Sequence, residues 1–244
     1  RRQPRSTLFP YTTLFRSMTD EGILRYSIGD GVEAFTTTRS AQLPYPVIVG
    51  HQVHGNKVAL VDRPDMTRED LDGYDALVTN LPVAIGVRTA DCMPILLYDP
   101  VHKAVAAVHS GWKSTVQKIA LYTVSRMASE YGTSASDLMA VIGPGISRKN
   151  FQVREDVSCF FKEAGFPIDK IWSWDGTPEE KSMKGGHHID LEAANKWLLE
   201  SAGVRPENIQ CCGICTYDDV RFFSARREGT ACGRNISVIR LENV

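Results

Sequence analysis

Short apolar runs separated by turn residues dominate the first half of the chain. Residues 47–49, 57–61, 76–79, 83–88, 95–98 and 103–108 each read as a strand. Pro, Gly, Asp and Asn punctuate the gaps at 62–65, 72–73, 80–82 and 99–100. Helical spacing appears later. Val116, Ile119, Ala120, Thr123 and Met127 recur on one face, which predicts a helix over 114–131, capped by Ser114 and stopped by Gly132. Residues 155–164 and 191–201 are the other expected helices, with strands at 138–142, 208–212 and 236–241. Strands and helices are mixed without strict alternation, which favours an α+β domain with mixed sheets over a doubly wound parallel fold.

No low-complexity linker divides residues 18–244, so one catalytic domain is expected there. Residues 1–17 are set apart. Ser6-Thr7-Leu8-Phe9-Pro10 is echoed by Thr12-Thr13-Leu14-Phe15-Arg16 just before Met18, which reads as translated linker sequence. A native disordered arm is the competing reading. The segment has a basic start but lacks the apolar stretch of a secretory signal.

Composition narrows the function classes. The 244 residues carry a formal charge of −1, without the basic footprint of a nucleic-acid binder. No apolar run reaches the roughly 20 residues of a membrane helix. Residues 83–98 come nearest and are broken by Arg88, Asp91 and Pro94. Six scattered cysteines with no export signal point to free thiols in the cytoplasm. The absence of heptads or a sticky segment favours a monomer.

Three segments carry the candidate chemistry: Gln52-Val53-His54-Gly55, Thr89-Ala90-Asp91-Cys92-Met93-Pro94 and His109-Ser110-Gly111-Trp112-Lys113. Each places a nitrogen or sulfur donor at a strand end, where sites are commonly built. Imidazole and thiolate suit zinc or copper and not magnesium or calcium. Three protein ligands with one open position is the pattern of catalytic zinc. His54 and Cys92 are 38 residues apart, and Cys92 and His109 17. Those gaps exceed zinc-finger spacing and suit a site assembled from separate strand ends. By themselves they also allow Cys92 to be a small buried hydrophobe and either histidine a hydrogen-bonded core residue.

Taken together and in order, QVHG, TADCMP and AVHSGWKST resemble the bacterial laccase-domain family, also called multicopper polyphenol oxidases and regarded as purine nucleoside phosphorylases. The similarity continues through IGPGI at 142–146, FQV at 151–153, HIDL at 188–191 with Asn195, Cys215-Thr216, FFSARR at 222–227 and Gly233-Arg234. The resemblance implies a layered α+β fold and a metal held by His54, Cys92 and His109. It implies phosphorolysis of adenosine, inosine and methylthioadenosine to base and ribose 1-phosphate, adenosine deamination, and copper-dependent oxidation of phenols. The family's Thr-Arg segment matches Thr38-Arg39, but Ser40-Ala41 stand where two glycines are usual.

Those reactions ask for further groups. Arg39, Arg88 and Lys113 are candidates for the phosphate oxyanion, and each is equally readable as a solvated charge. Asp91 is a candidate for proton transfer at the purine ring, or for orienting a metal ligand. Small-molecule nucleoside and phosphate are the expected partners, with zinc as cofactor and copper by substitution.

Rival readings are weaker. A conventional multicopper oxidase needs several histidines per metal, and the six here include no His-x-His pair. A cysteine hydrolase with Cys92 as nucleophile and His109 as base leaves His54 without a role. A thiol oxidoreductase built on Cys212-Gly213-Ile214-Cys215 would want that segment to open a helix; it follows a strand-like run instead. A non-enzymatic metal-binding module would turn over no nucleoside. His187-His188 reads as a strand start with one side chain inward, and Trp172 and Trp174 as core packing.

Overall fold

The structure, a computed structural model, describes residues 16–19, 22–175 and 186–242. Among the described residues the strands are β1 (Arg16–Met18), β2 (Ile23–Tyr26), β3 (Val32–Thr37), β4 (Ile48–Val49), β5 (Val58–Leu60), β6 (Ala76–Thr79), β7 (Ile85–Thr89), β8 (Met93–Asp99), β9 (Ala104–Ser110), β10 (Met139–Ile142), β11 (Gln152–Val153), β12 (Trp172–Trp174), β13 (His187–Ile189), β14 (Ile209–Cys211) and β15 (Asn235–Leu241). The helices are α1 (Trp112–Val116), α2 (Ile119–Tyr131), α3 (Glu155–Glu163), α4 (Ile168–Ile171), α5 (Leu191–Ser201) and α6 (Ala225–Glu228). The class is α+β. Of residues 1–17, the first fifteen lie outside the described residues, and Arg16 and Ser17 belong to β1, paired with β2.

Two six-stranded mixed sheets make the body. One runs β1-β2-β3-β15-β7-β4 and the other β14-β10-β8-β9-β6-β5. The pleat sorts their side chains. Leu24, Ala34, Val87 and Ile239 of the first sheet meet Leu77, Leu96, Val105, Ala107 and Val141 of the second in one apolar layer. The opposite face of the second sheet, with Ile95, Leu97, Ala106 and Val108, packs under α2, α3 and α5 through Val124, Met127, Phe161 and Leu198. The second sheet is therefore covered on both faces, and every residue of β8 and β9 is buried. That is why these strands read as unbroken apolar runs and not as alternations.

The expected helix over 114–131 is two helices. Lys118 takes a left-handed conformation, φ 62°, between α1 and α2. Ser114 lies buried inside α1, whose cap is Gly111. The apolar periodicity runs through the break, so the sequence pattern did not reveal it. β2 and β3 form where no strand was expected. β2 carries Arg25 within it, and β3 ends in a polar Thr36-Thr37 pair whose Thr36 hydroxyl bonds Tyr26 and Ser237 inside the sandwich.

A third, three-stranded sheet, β11-β13-β12, carries the histidine pair. Both His187 and His188 are buried, where only one was expected inward. Trp172 Nε1 donates to His187 Nδ1 at 3.0 Å, and Trp174 meets the same ring edge-on at 4.8 Å. Among the described residues no helix is long and apolar enough to cross a membrane.

On the outer face of the first sheet one carboxylate ties three strands. Glu33 on β3 accepts from Arg25 on β2, from Arg240 on β15 at 2.7 Å and from the Tyr45 hydroxyl at 2.6 Å. Burial pushes the Glu33 carboxyl up, but these donors more than offset it and hold it below its usual value. Its contribution to stability is therefore complete above its unfolded value of about 4.5 and is lost as pH falls through the lower folded value. Glu33→Gln is expected to flatten the acid limb of unfolding free energy against pH below about pH 5, measured by urea titration. An acid limb as steep as that of the parent would show that the cluster does not act this way.

Candidate metal centre

The sheets themselves bring the three segments together. The chain crosses from the first sheet to the second between β4 and β5, and again between β7 and β8. His54 sits in the first crossing and Cys92 in the second. His109 lies near the end of β9, opposite Pro94 at the start of β8. On β9, Val105 and Ala107 face the layer between the sheets, so His109 points to that side too. The site stands at the end of the sandwich where the chain changes sheets.

Local contacts fix each segment. Gln52 acts as a backbone surrogate: its Nε2 donates to the Arg88 carbonyl and its Oε1 accepts from the Arg88 N–H, both at 2.8 Å. This pins the His54 loop to β7, close to the turn that carries Cys92. The β9–α1 turn is latched to the helix layer. Ser110 Oγ donates to Asn195 Oδ1 on α5 at 2.7 Å, Asn195 Nδ2 donates to Thr115 Oγ1, and Thr115 Oγ1 donates to the Gly111 carbonyl. All three side chains are fully buried, and the small network is internally satisfied.

The joint of the site is Asp75, just before β6. Its side chain is fully buried and accepts four hydrogen bonds. Three come from successive backbone N–H groups, Val53 at 3.1 Å, His54 at 2.9 Å and Gly55 at 2.7 Å. The fourth comes from His109 Nδ1 at 2.7 Å. His54 adopts φ 60° to present its amide this way. One carboxylate thus sets the backbone of one histidine and the ring of the other. A buried carboxylate is tolerable only with partners of this kind. Burial pushes its pKa up, but His109 and the Gly55 amide more than offset that and bring it below its usual value.

The outcome is a cluster in which one donor atom each from His54, Cys92 and His109 lies within 4.8 Å of the others. The two imidazoles meet edge to face at 4.8 Å between centroids. His109 is buried, Cys92 half-buried and His54 exposed, so the cluster opens toward His54. With Nδ1 of His109 donated to Asp75, Nε2 is the nitrogen left for the cluster. Gly111 leaves room for it: a Cβ there would stand 2.9 Å from Cys92 Sγ and 3.0 Å from the His54 ring. Burial pushes the Cys92 thiol up, yet the facing His109 and His54 bring it well below its ordinary value. Burial pushes His109 down, yet Cys92 and Asp75 bring it well above. The pocket therefore stabilises a thiolate beside a positive charge. Two imidazoles and a thiolate, with one carboxylate behind them, form a donor set that fits a zinc or copper ion.

The other candidate residues are placed differently. Asp91, φ 90°, sits beside Cys92 with both carboxylate oxygens engaged, Oδ1 by the Thr216 hydroxyl at 2.6 Å and Oδ2 by the Arg226 N–H at 2.7 Å. Arg39, beyond β3, donates through Nη2 to the Phe222 carbonyl at 3.0 Å and to Glu228 at 2.6 Å, and stacks over the Phe223 ring. It is bound to the same 215–228 segment that reaches Asp91. Arg88 is exposed on β7 and meets the site through its backbone. The Lys113 ammonium lies 5.7 Å from the Trp112 ring. Cys212 and Cys215 follow β14 and do not open a helix, and none of the six cysteines forms a disulfide.

Sequence reasoning assigned no role to Asp75, Thr216 or Arg226. Asp75 carries no motif, since an acidic residue before a strand is commonplace. Thr216 and Arg226 stand inside matched segments, but their contacts join residues more than a hundred positions apart.

Comparison with known proteins adds the lineage. The pattern of the family described as multi-copper polyphenol oxidoreductase laccase matches residues 31–242. A purine nucleoside phosphorylase of Bacteroides thetaiotaomicron is 38% identical over 209 residues, covering 82% of this chain and 75% of its own. Adenosine deaminase RL5, from an unknown prokaryotic organism, is 37% identical over 203 residues, covering 79% and 74%. The crystal structure of the Bacillus licheniformis hypothetical protein YfiH superposes with a TM-score of 0.84 over 94% of this chain and all of that one, at 24% identity, and so shares the fold.

Asp75→Ala is expected to weaken zinc binding by about 10–100-fold, read by competition with a chromogenic chelator. Asp75→Asn is expected to fall on the same side, because its NH2 group would face donors in either orientation, the His54 amide and His109 Nδ1 or the Val53 and Gly55 amides. Zinc affinity unchanged in both variants would remove Asp75 from the site.

Proposed function

The chain belongs to the family described as multi-copper polyphenol oxidoreductase laccase, and we propose that within it this protein acts as a zinc-dependent purine nucleoside phosphorylase with adenosine deaminase side activity. The observation that carries the proposal is the convergence of His54, Cys92 and His109, in a chain whose similar relatives are named for these two activities. The proposed substrates are adenosine, inosine and methylthioadenosine with inorganic phosphate.

Zinc held by the three ligands would supply a Lewis acid for an oxyanion or a water at the reacting centre. The chain's own residues do the rest. Asp75 orients His109 and shapes the His54 loop. Arg39 is held by Nη2 alone, which leaves Nε and Nη1 for a phosphate oxygen. Arg88 and Lys113, both exposed, are secondary candidates for the same anion. Cys92 and His109 are the groups nearest the chemistry, as ligands. Copper in the same site, favoured by the divalent affinity order, is the route to phenol oxidation.

A second reading has one observation of its own. Asp75, His109 and Cys92 line up as carboxylate, base and nucleophile, the order of a cysteine hydrolase. It leaves His54 without a task, and chelation separates the two. The metal reading expects activity to vanish with a zinc chelator and return with zinc, whereas a thiol hydrolase would keep its activity throughout.

The primary experiment is incubation of the zinc-loaded protein with adenosine, with and without phosphate, followed by chromatography, with Cys92→Ala alongside. Phosphate-dependent adenine release, or inosine formation without phosphate, is expected from the parent and absent from the variant. No turnover in either buffer at full zinc occupancy would overturn the purine reading and leave copper-dependent phenol oxidation to be tested.

A further inference from the structure

Asp91 is the acidic residue closest in sequence to the cluster and the natural candidate for moving a proton. Its surroundings suit another task. The Thr216 hydroxyl donates to Oδ1 and the Arg226 amide to Oδ2, so each oxygen already receives a hydrogen. Both oxygens are thereby tied to the 215–228 segment, one through a side chain and one through the backbone. Neither donor is loose. Thr216 is fully buried, its N–H donates to the Gly145 carbonyl, and its own carbonyl accepts from Arg227 Nη1 at 2.7 Å. Arg226 is anchored at its far end, donating to the Asn150 and Gln152 carbonyls at 3.1 Å and 3.0 Å.

The backbone of Asp91 is equally committed. Its carbonyl accepts from the Ile146 N–H at 2.9 Å. Gly145 packs so closely that a Cβ there would stand 3.1 Å from that carbonyl and 2.3 Å from Met93 Sδ. Asp91 holds φ 90°, which an L residue adopts only where its surroundings impose it. The two charge-assisted bonds of its side chain are the interactions that can hold it there. Three separate stretches, 91–93, 143–152 and 215–228, meet on this one residue.

We infer that Asp91 is a positioning residue, whose task in the site is to latch the turn that carries Cys92 to Thr216 and Arg226. The inference rests on the metal reading of the site. It also makes the 215–228 segment, with Arg39 bound to it, move as one piece with the ligand turn.

Asp91→Asn and Asp91→Ala separate the two roles. In Asp91→Asn the carbonyl oxygen still accepts from Arg226 and the amide donates to the Thr216 oxygen, so both contacts survive without an ionisable group. Zinc affinity is read by chelator competition, ligand geometry by the thiolate absorption of the cobalt-substituted protein, and turnover by adenosine consumption across pH. Asp91→Ala is expected to bind zinc at least about tenfold more weakly, with a changed cobalt spectrum. Asp91→Asn is expected to stay within about threefold of the parent in zinc affinity, with the parent cobalt spectrum and pH profile.

Two results would overturn the inference. One is Asp91→Ala with parental zinc affinity and cobalt spectrum. The other is Asp91→Asn with parental zinc binding but turnover down by about 100-fold or more, the mark of a lost proton carrier. The binding arms decide the matter without turnover, so a parent that binds zinc and leaves adenosine untouched sinks the purine reading alone. A parent that fails to bind zinc overturns both.

Discussion

The site depends on one buried carboxylate. Asp75 takes four hydrogen bonds in a place that water does not reach. A charge so placed is costly unless every lone pair is used. That cost is what gives the arrangement its definition. The loop carrying His54 has to curl so that three consecutive amides face the same carboxylate, and His109 has to present Nδ1 to it. The histidines come from separate segments, yet one anion sets the backbone of one and the ring of the other. A different course for the His54 backbone, or a different position for the His109 ring, would leave Asp75 partly unsatisfied.

Around that joint the site is held from two sides. Toward the helix layer, the Ser110–Asn195–Thr115 network locks the end of β9 to α5. Toward the first sheet, Gln52 pairs with the Arg88 backbone and Asp91 with Thr216 and Arg226. Apolar packing alone, which is non-directional, would bring the strand ends together without fixing the angle of any ligand. The polar contacts supply the direction. The price is strain at two non-glycine residues, His54 and Asp91, both with positive φ and both beside or within the ligand set.

This division explains how two imidazoles and a thiol gather at one end of a β-sandwich. The second sheet is buried on both faces and so forms a rigid floor. The three donor residues sit on its rim or on loops that cross to the other sheet. Loops in that position vary in chemistry without disturbing the core. The 215–228 segment, with Arg39 bound to it, is joined through Asp91 to the turn that carries Cys92.

Much of this was legible along the chain. Each apolar run of the first half became a strand, because burial of a whole sheet face imposes a local signature. The three donor residues were legible as types and as motif letters, since imidazole and thiolate chemistry belongs to the residue itself. The pattern missed β2 and β3, which are partly polar, and it ran straight through the break at Lys118, where only the backbone conformation changes. It was silent on Asp75, and it left Asp91 as either proton carrier or brace. The sequence by itself determined which side chains could bind a metal and which segments would be buried. Tertiary structure alone decided that an acid from before β6 would hold both histidines, and that the acid beside Cys92 would be spent on Thr216 and Arg226. Hydrogen bonds between residues up to 135 positions apart leave no local pattern, because what selects them is the geometry of the folded chain.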